Sequence, residues 1–420
     1  MKFAHIADCH LGAWSRKPEL QELNIKAFEY SIDKCIQENV DFILLVGDLF
    51  NTSFPTNTSL LSRVFSKLRQ VKEKAIPIYL IPGSHDFSAS GESILKVCEA
   101  AGFCKNLMGL LEDNQGSLKL NFFEDEGKKI LITGVLGKRI GLEIDILKRL
   151  NKKEIEEKVN QENSFKIFLL HSAVSELLPE EFDSEYMKTI SCKELPEGFD
   201  YYAFGHIHEP KILRDDKKIF TYSGCTFPNN FKELSHIRQG SFIIVDFNEQ
   251  TKEISLREEK IKFKDVVALE ITADDKTAKQ VEDEIIQKIN EANLADKIFT
   301  LKVSGTLRVG KISDINFEEI YKLIQNKACF SFLRNTHGLL TKEFKIQVSK
   351  AESVEEIEKE IIENSLKNIK VEEKEEKQRM INSLIKTLDK ERLEDETKEA
   401  FSSRLINELL KSLDLQEKFK

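Results

Sequence analysis

Asp200-Tyr201-Tyr202-Ala203-Phe204-Gly205-His206-Ile207-His208 is the stretch on which the reading turns. Its first part is a compact apolar run of the kind that forms a buried strand, and it stops at a glycine. Two imidazoles separated by one residue follow, where a strand gives way to a loop, so both can turn toward one metal centre. Standing alone, the pair would suit an ordinary surface turn equally well. Other apolar runs, however, end in the same way. Residues 3–7 lead into Asp8-Cys9-His10, and residues 41–46 lead into Gly47-Asp48. Residues 77–81 precede Gly83-Ser84-His85-Asp86, and residues 166–170 precede His171-Ser172.

Helical periodicity separates these runs. In residues 22–40, Leu23, Ala27, Tyr30 and Ile36 recur at helical spacing, and in residues 57–74 Leu61, Phe65, Leu68 and Val71 share a face. Residues 91–102 read as a third helix and residues 142–159 as a charged, exposed one. Strands that are apolar throughout, alternating with helices, predict a sheet covered on both faces. Later strands at 219–223 and 241–247, joined by short connections, predict a second sheet packed on the first. Residues 1–250 therefore read as one α/β domain, a two-sheet sandwich flanked by helices.

Of the eight histidines, His10, His85, His171, His206 and His208 fall at the carboxyl ends of these strands, beside Asp8 and Asp48. Open α/β sheets place their sites at such ends. Each residue alone fits a satisfied core histidine or a helix-capping aspartate; the set together fits neither. Neutral imidazoles and carboxylates, without thiolates, suit Mn, Fe or Zn. So many ligands exceed the needs of one ion and fit two, about 3.5–4 Å apart, bridged by a carboxylate. Such a pair holds the non-ester oxygens of a phosphate and activates a shared water for in-line attack. A spare imidazole nearby can protonate the departing oxygen.

Composition sets the outer bounds. The 420 residues allow two or three domains, and 40% hydrophobic with 32% charged residues describes a globular chain. The net charge of -9 means that any nucleic-acid role rests on local basic patches or on metal-bridged phosphates. Seven scattered cysteines, with no C-x-x-C pair, do not make a disulfide framework and read as reduced thiols. The start turns polar too quickly for a signal peptide, and no apolar run approaches the roughly 18 residues of a membrane span. Reduced cysteines with abundant Lys, Glu and Ile point to a prokaryotic cytoplasm, with association to the nucleoid if the substrate is DNA.

The motifs Asp8-x-His10, Gly47-Asp48, Gly83-x-His85-Asp86, His171 and Gly205-His206-x-His208 resemble those of the calcineurin-like binuclear metallophosphoesterases. The longer forms Ile6-Ala7-Asp8-Cys9-His10-Leu11-Gly12 and Gly47-Asp48-Leu49-Phe50 resemble the Mre-eleven/SbcD family of DNA double-strand-break repair nucleases in particular. That resemblance implies two Mn ions per subunit. Asp8, His10 and His208 would bind one, His171 and His206 the other, and Asp48 would bridge. His85 would be the catalytic histidine that is not a ligand, with Asp86 orienting it. The implied reaction is phosphodiester hydrolysis on double-stranded DNA ends (3′-to-5′ exonuclease) and on single-stranded DNA (endonuclease), in a homodimer whose candidate contacts are the helices at 57–74 and 91–102.

Two positions depart from the family pattern. Ser84 stands where the family has an asparagine whose amide oxygen reaches the second metal; the shorter hydroxyl implies a weaker hold. Asn51 stands where several relatives carry a histidine that positions DNA, which puts the exonuclease activity in question more than the endonuclease. Further DNA contacts are expected in loops at the same edge: Arg16 and Lys17, Lys138 and Arg139, Lys211 and Arg214.

Beyond residue 265 the pattern changes to strand, helix, strand, helix, strand, a small α/β unit over 265–350 that corresponds to the family's DNA-capping domain. Residues 351–376 form a charged linker. Residues 377–415 carry two apolar faces, Met380, Ile381, Leu384, Ile385 and Leu388, then Phe401, Leu405, Leu409 and Leu413. The family's counterpart is a helix-loop-helix that docks on a Rad-fifty-type ATPase. The sequence thus reads as a DNA repair nuclease. A calcineurin-like phosphoesterase on a non-DNA ester, or a DNA-end-binding scaffold with impaired catalysis, stands as the alternative.

Overall fold

The computed structural model describes residues 1–87, 92–107, 110–112, 118–138, 141–161, 164–179, 188–216, 218–341, 387, 390 and 398–412. It divides into two compact units. The first holds Met1–Thr272, Lys279–Ser304 and Ile315–Gly338; the second holds Ala273–Ala278, Gly305–Asp314 and Leu339–Lys420.

In the first unit the chain runs β1 (Lys2–Ile6), α1 (Pro18–Gln37), β2 (Phe42–Val46), α2 (Thr58–Glu73), β3 (Ile78–Ile81), α3 (Ile94–Ala100) and β4 (Lys105–Asn106). A short hairpin, β5 (Leu110–Glu112) and β6 (Leu118–Leu120), precedes β7 (Phe123–Asp125), β8 (Ile130–Val135), α4 (Glu143–Arg149) and α5 (Lys152–Gln161). Then come β9 (Phe165–His171), β10 (Tyr201–Gly205), β11 (Lys211–Asp215), β12 (Lys218–Tyr222), α6 (Phe231–His236), β13 (Gly240–Phe247) and β14 (Ile254–Ile261).

Two six-stranded sheets result, in the orders β14-β13-β1-β2-β3-β4 and β11-β12-β10-β9-β8-β7. Strands β1 to β4 run parallel, as do β8, β9, β10 and β12; the antiparallel strands lie toward the edges. Alternation along β2 explains why its whole run is apolar. Phe42, Leu44 and Val46 face the interior between the sheets, with Ile167, Leu169, Tyr201 and Ala203 from the other side. Ile43 and Leu45 face the opposite way, into the layer formed with α1 and α2. A strand buried on both faces has no polar position to place.

One helix expectation needs correction. Residues 142–159 form two helices, α4 and α5, rather than one. Leu150 between them turns to extended geometry, and Asn151 N donates to Leu118 O at 3.0 Å. Nor is the segment exposed. Ile144, Leu147, Leu150, Ile155 and Val159 pack beneath the second sheet, and the charged residues that dominate the composition cover only its outer side.

The first unit also contains most of a third, parallel sheet, β15 (Val266–Thr272), β16 (Ile298–Leu307) and β17 (Ser331–Asn335), with α7 (Ala278–Glu291) and α8 (Phe317–Asn326) as crossovers. Ile298 joins the core cluster built on α1 and α2, and Val266, Phe330 and Leu333 pack against it. Ser331 Oγ donates to Glu19 Oε1 at 2.7 Å. In the second unit β18 (Leu339–Thr341) pairs with the end of β16, and α9 (Lys398–Ser412) is tied to Lys390 through Glu408 at 2.8 Å. The linker at 351–376 and the apolar face Met380 to Leu388 lie outside the described residues, as does Arg139.

Candidate metal centre

Parallel strands aligned in two facing sheets bring their carboxyl ends to one edge. Asp8 follows β1, Asp48 follows β2, His171 closes β9, and His206 follows β10. At each of these ends the chain must turn sharply to carry its side chain across the edge. Asp8 (φ 51°), His10 (φ 42°), Asp48 (φ 50°) and His206 (φ 96°) all occupy the left-handed region. Each such residue costs about 1–2 kcal/mol of backbone strain, held in place by the surrounding ladder. Asp8 N donates to Gly47 O at 3.1 Å and His10 N to Asp48 O at 2.9 Å.

Glycines make the approach of the two sheets possible. A Cβ at Gly205 would lie 2.0 Å from Val46 O and 2.7 Å from His171 Nδ1. At Gly47, which also has φ 83°, a Cβ would lie 2.1 Å from the same nitrogen.

Asp48 occupies the middle. Its Oδ2 is 3.2 Å from His171 Nε2 and 3.7 Å from His10 Nε2. Asp8 Oδ1 is 3.6 Å from His208 Nε2, 3.9 Å from His171 Nε2 and 4.0 Å from His10 Nε2. His10 Nε2 and His208 Nε2 face each other at 3.1 Å. Three overlapping groups follow, each able to place its ligand atoms around one cation: Asp8, His10 and His208; Asp8, Asp48 and His171; and His10, Asp48 and His85. A fourth is His208, Cys225 and Glu233, where full burial holds the Cys225 thiol well above its ordinary range in the metal-free chain.

The donor set fits a metal on its own geometry. His171 Nδ1 donates to Val46 O at 2.9 Å, which leaves the Nε2 lone pair facing two carboxylates. That buried Nε2 has no hydrogen-bond partner among the described residues. A lone pair aimed at carboxylate oxygens is repulsive unless a positive charge, a proton or a metal ion, lies on that side. Electrostatics in the metal-free protein tell the same story. Burial disfavours charge on His171, but the Asp48 and Asp8 carboxylates outweigh it and raise its pKa to about 10. Against burial, His171 in turn holds Asp48 well below the usual carboxylate range. His208 is raised well above its ordinary value by Asp8 and Glu233 despite burial. Burial, with His208 beside it, lowers His10 to about 4; burial, with His171 beside it, lowers His206 to about 4.

The remaining expected site residues fall into place unevenly. Ser84 Oγ donates to Asp48 Oδ2 at a long 3.4 Å. His85 is exposed at the rim; its N donates to Asp48 Oδ1 at 2.8 Å and its Nδ1 lies 3.0 Å from Asn51 O. The expectation that Asp86 orients His85 needs correction. Asp86 is fully buried and accepts from Gly83 N at 2.9 Å, Phe50 N at 3.2 Å and Leu49 N at 3.3 Å, so it clasps two loops together. Burial and the Asp48 charge raise its pKa to about 7. It is the Asn51 carbonyl that holds the His85 ring.

Several expected DNA contacts are engaged elsewhere. Lys17 Nζ donates to Phe332 O at 2.9 Å and Lys211 Nζ to Leu178 O at 2.8 Å. Arg214 pairs in register with Ile219, level with Tyr201 at the opposite end of the sheet from Gly205, and its guanidinium reaches Ile254 O. Arg16 and Lys138 are exposed, and Lys138 follows Gly137, which packs against the His171 ring. The sequence reading missed Glu233, whose Oε1 is 3.0 Å from His208 Nδ1, and Asn24, whose Nδ2 donates to Cys9 O at 2.8 Å between the Asp8 and His10 positions. Neither is near its partner in sequence. Asn230 three residues before Glu233 signals a helix start, but not what the carboxylate touches.

The sequence profile of the calcineurin-like phosphoesterases matches residues 1–210, half of the chain. The chain belongs to the calcineurin-like phosphoesterases. As a member of that family it is a metal-dependent phosphoesterase whose centre takes two divalent ions. Among its relatives are two proteins named DNA double-strand break repair protein Mre11. The one from Archaeoglobus fulgidus is 28% identical over 340 residues, covering 75% of this phosphoesterase and 71% of the relative. The one from Methanococcus maripaludis is 31% identical over 232 residues, covering 54% and 57% respectively. Among solved structures, a dimetal phosphatase from Danio rerio aligns with TM-score 0.42 at 9% identity, over 63% of this chain and 99% of its own.

A proton balance tests the centre. With its pKa raised to about 10, His171 is protonated in the metal-free phosphoesterase at pH 7–8 and must lose that proton to offer Nε2 to a cation. Titration calorimetry with a divalent metal, in buffers of different ionisation enthalpy, should show at least one proton released per chain. Apparent affinity should rise with pH and level off near pH 10. Binding with no proton release would contradict this arrangement.

Proposed function

We propose that this phosphoesterase is an Mn-dependent DNA nuclease, cutting double-stranded ends as a 3′-to-5′ exonuclease and single strands as an endonuclease, in double-strand-break repair. One observation carries the reading. The Mre11-named relative from Archaeoglobus fulgidus matches over 340 residues, well past the 210 that the family profile covers, so the likeness extends beyond the phosphoesterase motifs.

In this reading Asp8, His10 and His208 hold one Mn, His171 and His206 the other, and Asp48 lies between them. Ser84 is a weak neighbour of the second. The two ions supply Lewis-acid charge at the phosphate. His85 is the group left free to move a proton. Its Nδ1–H donates to the Asn51 carbonyl, so Nε2 is the nitrogen that would meet the departing sugar oxygen, and the ring in its imidazolium form would give up the Nε2 proton to it and be left neutral. Asp86 keeps the loops carrying Asp48 and His85 at a fixed distance. Arg16 and Lys138, both exposed, would contact phosphates next to the cut. The small parallel sheet serves as a cap over bound DNA, the molecule works as a homodimer, and residues 377–415 dock on a Rad-fifty-type ATPase.

The deciding experiment is cleavage of a labelled linear duplex and a single-stranded circle in Mn and in EDTA. Cleavage abolished by EDTA is the expected result. His85→Ala should lower turnover by about 10²–10⁴-fold while leaving Mn stoichiometry intact. Activity confined to a small diester would favour a non-DNA phosphoesterase, and DNA bound but uncut at every Mn concentration would favour a scaffold.

Ser84→Asn should strengthen the weaker Mn about tenfold, because an amide oxygen reaches farther than the Ser84 hydroxyl. Unchanged Mn titration and turnover would refute that role for position 84. Removing residues 377–415 should abolish complex formation with the ATPase in size-exclusion chromatography and leave DNA cleavage by the nuclease alone in place; a surviving complex would place the contact elsewhere.

A further inference from the structure

Glu233 belongs to neither the phosphoesterase motifs nor any metal-binding spacing, yet its carboxylate is the nearest acid to the outer nitrogen of His208. Oε1 stands 3.0 Å from His208 Nδ1, an ion-pair approach whose angle falls short of a hydrogen bond, while His208 Nε2 points inward to His10 Nε2 at 3.1 Å and to Asp8 Oδ1 at 3.6 Å. An imidazole has two nitrogens and can offer only one lone pair to a cation. A carboxylate at Nδ1 keeps the proton there and leaves Nε2 bare.

The carboxylate is itself held from behind. Asn229 N donates to Oε2 at 2.8 Å, and Asn230 Nδ2 donates to Oε1. The Asn230 side chain in turn caps helix α6 by accepting from Glu233 N at 3.0 Å. The helix is fixed at both ends of its short run. Leu234 is fully buried in the core cluster that also contains Leu20, Phe242 and Ile298. Ser235 Oγ bonds Thr300 Oγ1 on β16 at 3.0 Å. A continuous chain of contacts therefore runs from the third sheet, through α6, to one imidazole of the metal centre.

We propose that Glu233 is a positioning residue for His208, selecting Nε2 as its metal-binding nitrogen and tying the ring to a helix anchored on the third sheet. The ordinary view of Glu233 is that it completes a helix cap. That role uses the backbone N–H, Oε2 and the Asn230 amide on Oε1, and does not need an imidazole of another segment beside Oε1. The proposal rests on His208 being a metal ligand, as set out above, and is independent of DNA as the substrate.

The test is Mn titration of the metal-freed full chain, followed by calorimetry and by the spin-resonance signal of unbound Mn. Wild type is compared with His208→Ala, Glu233→Ala and the capping control Asn230→Ala. Both His208→Ala and Glu233→Ala should weaken one of the two ions, Glu233→Ala by about 10- to 100-fold, while Asn230→Ala changes affinity by less than about threefold. In the zinc-loaded protein, labelled with 15N-histidine, the His208 Nδ1–H proton should be visible in wild type and Asn230→Ala, and lost in Glu233→Ala.

If His208→Ala keeps both ions, the ligand role of His208 fails, and this proposal with it. If His208→Ala loses an ion but Glu233→Ala does not, only the positioning role falls. If Asn230→Ala, which removes both the cap and the amide donor to Oε1, weakens the ion as much as Glu233→Ala, support of the helix start accounts for the effect, which also overturns the proposal.

Discussion

The hydrogen bond from His171 Nδ1 to the Val46 carbonyl, 2.9 Å long, crosses from the second sheet to the first, and the rest of the site depends on it. It fixes which nitrogen of His171 faces Asp48. It also sets how closely the two sheets can approach at their carboxyl ends, because the ring occupies the space that side chains at positions 47 and 205 would otherwise fill. The interior beneath is packed with large apolar residues such as Phe3, Phe42, Tyr79 and Tyr201. The one imidazole described within it, His5, is held by the Tyr201 hydroxyl at 3.0 Å and Phe204 O at 3.1 Å, whereas His171 lies at the boundary between that core and two carboxylates.

The fold was largely legible because its strands are buried on both faces. A run such as Phe42 to Val46 has no alternation to misread, and the glycine or aspartate that ends it coincides with the site. The same logic failed at residues 142–159, where composition is charged while the few apolar residues face the core, and where one buried leucine breaks the helix. Charge content reports the outer side of a helix and says little about whether its inner side is covered.

At the site, residues on strand ends were readable and residues that hold them were not. Asp8, His10, Asp48, His171 and His208 announce themselves by residue type at the end of an apolar run. Glu233 and Asn24 do not, since each acts on a segment distant in the chain. Asp86 was visible but its task was misjudged. Next to a histidine in sequence, it points away from that ring and gathers three backbone N–H groups instead. Basic residues misled for a related reason. Position in a loop near the edge does not reveal whether a lysine faces solvent or, as at Lys17 and Lys211, spends its donors on a carbonyl.

The ring of His85 is steadied by the main-chain oxygen of Asn51, a group every amino acid possesses. The identity of residue 51 is thereby released from the duty of setting the tautomer of its neighbour. Any side chain at position 51 leaves that carbonyl contact available, because its backbone does the structural work and its side chain is left over.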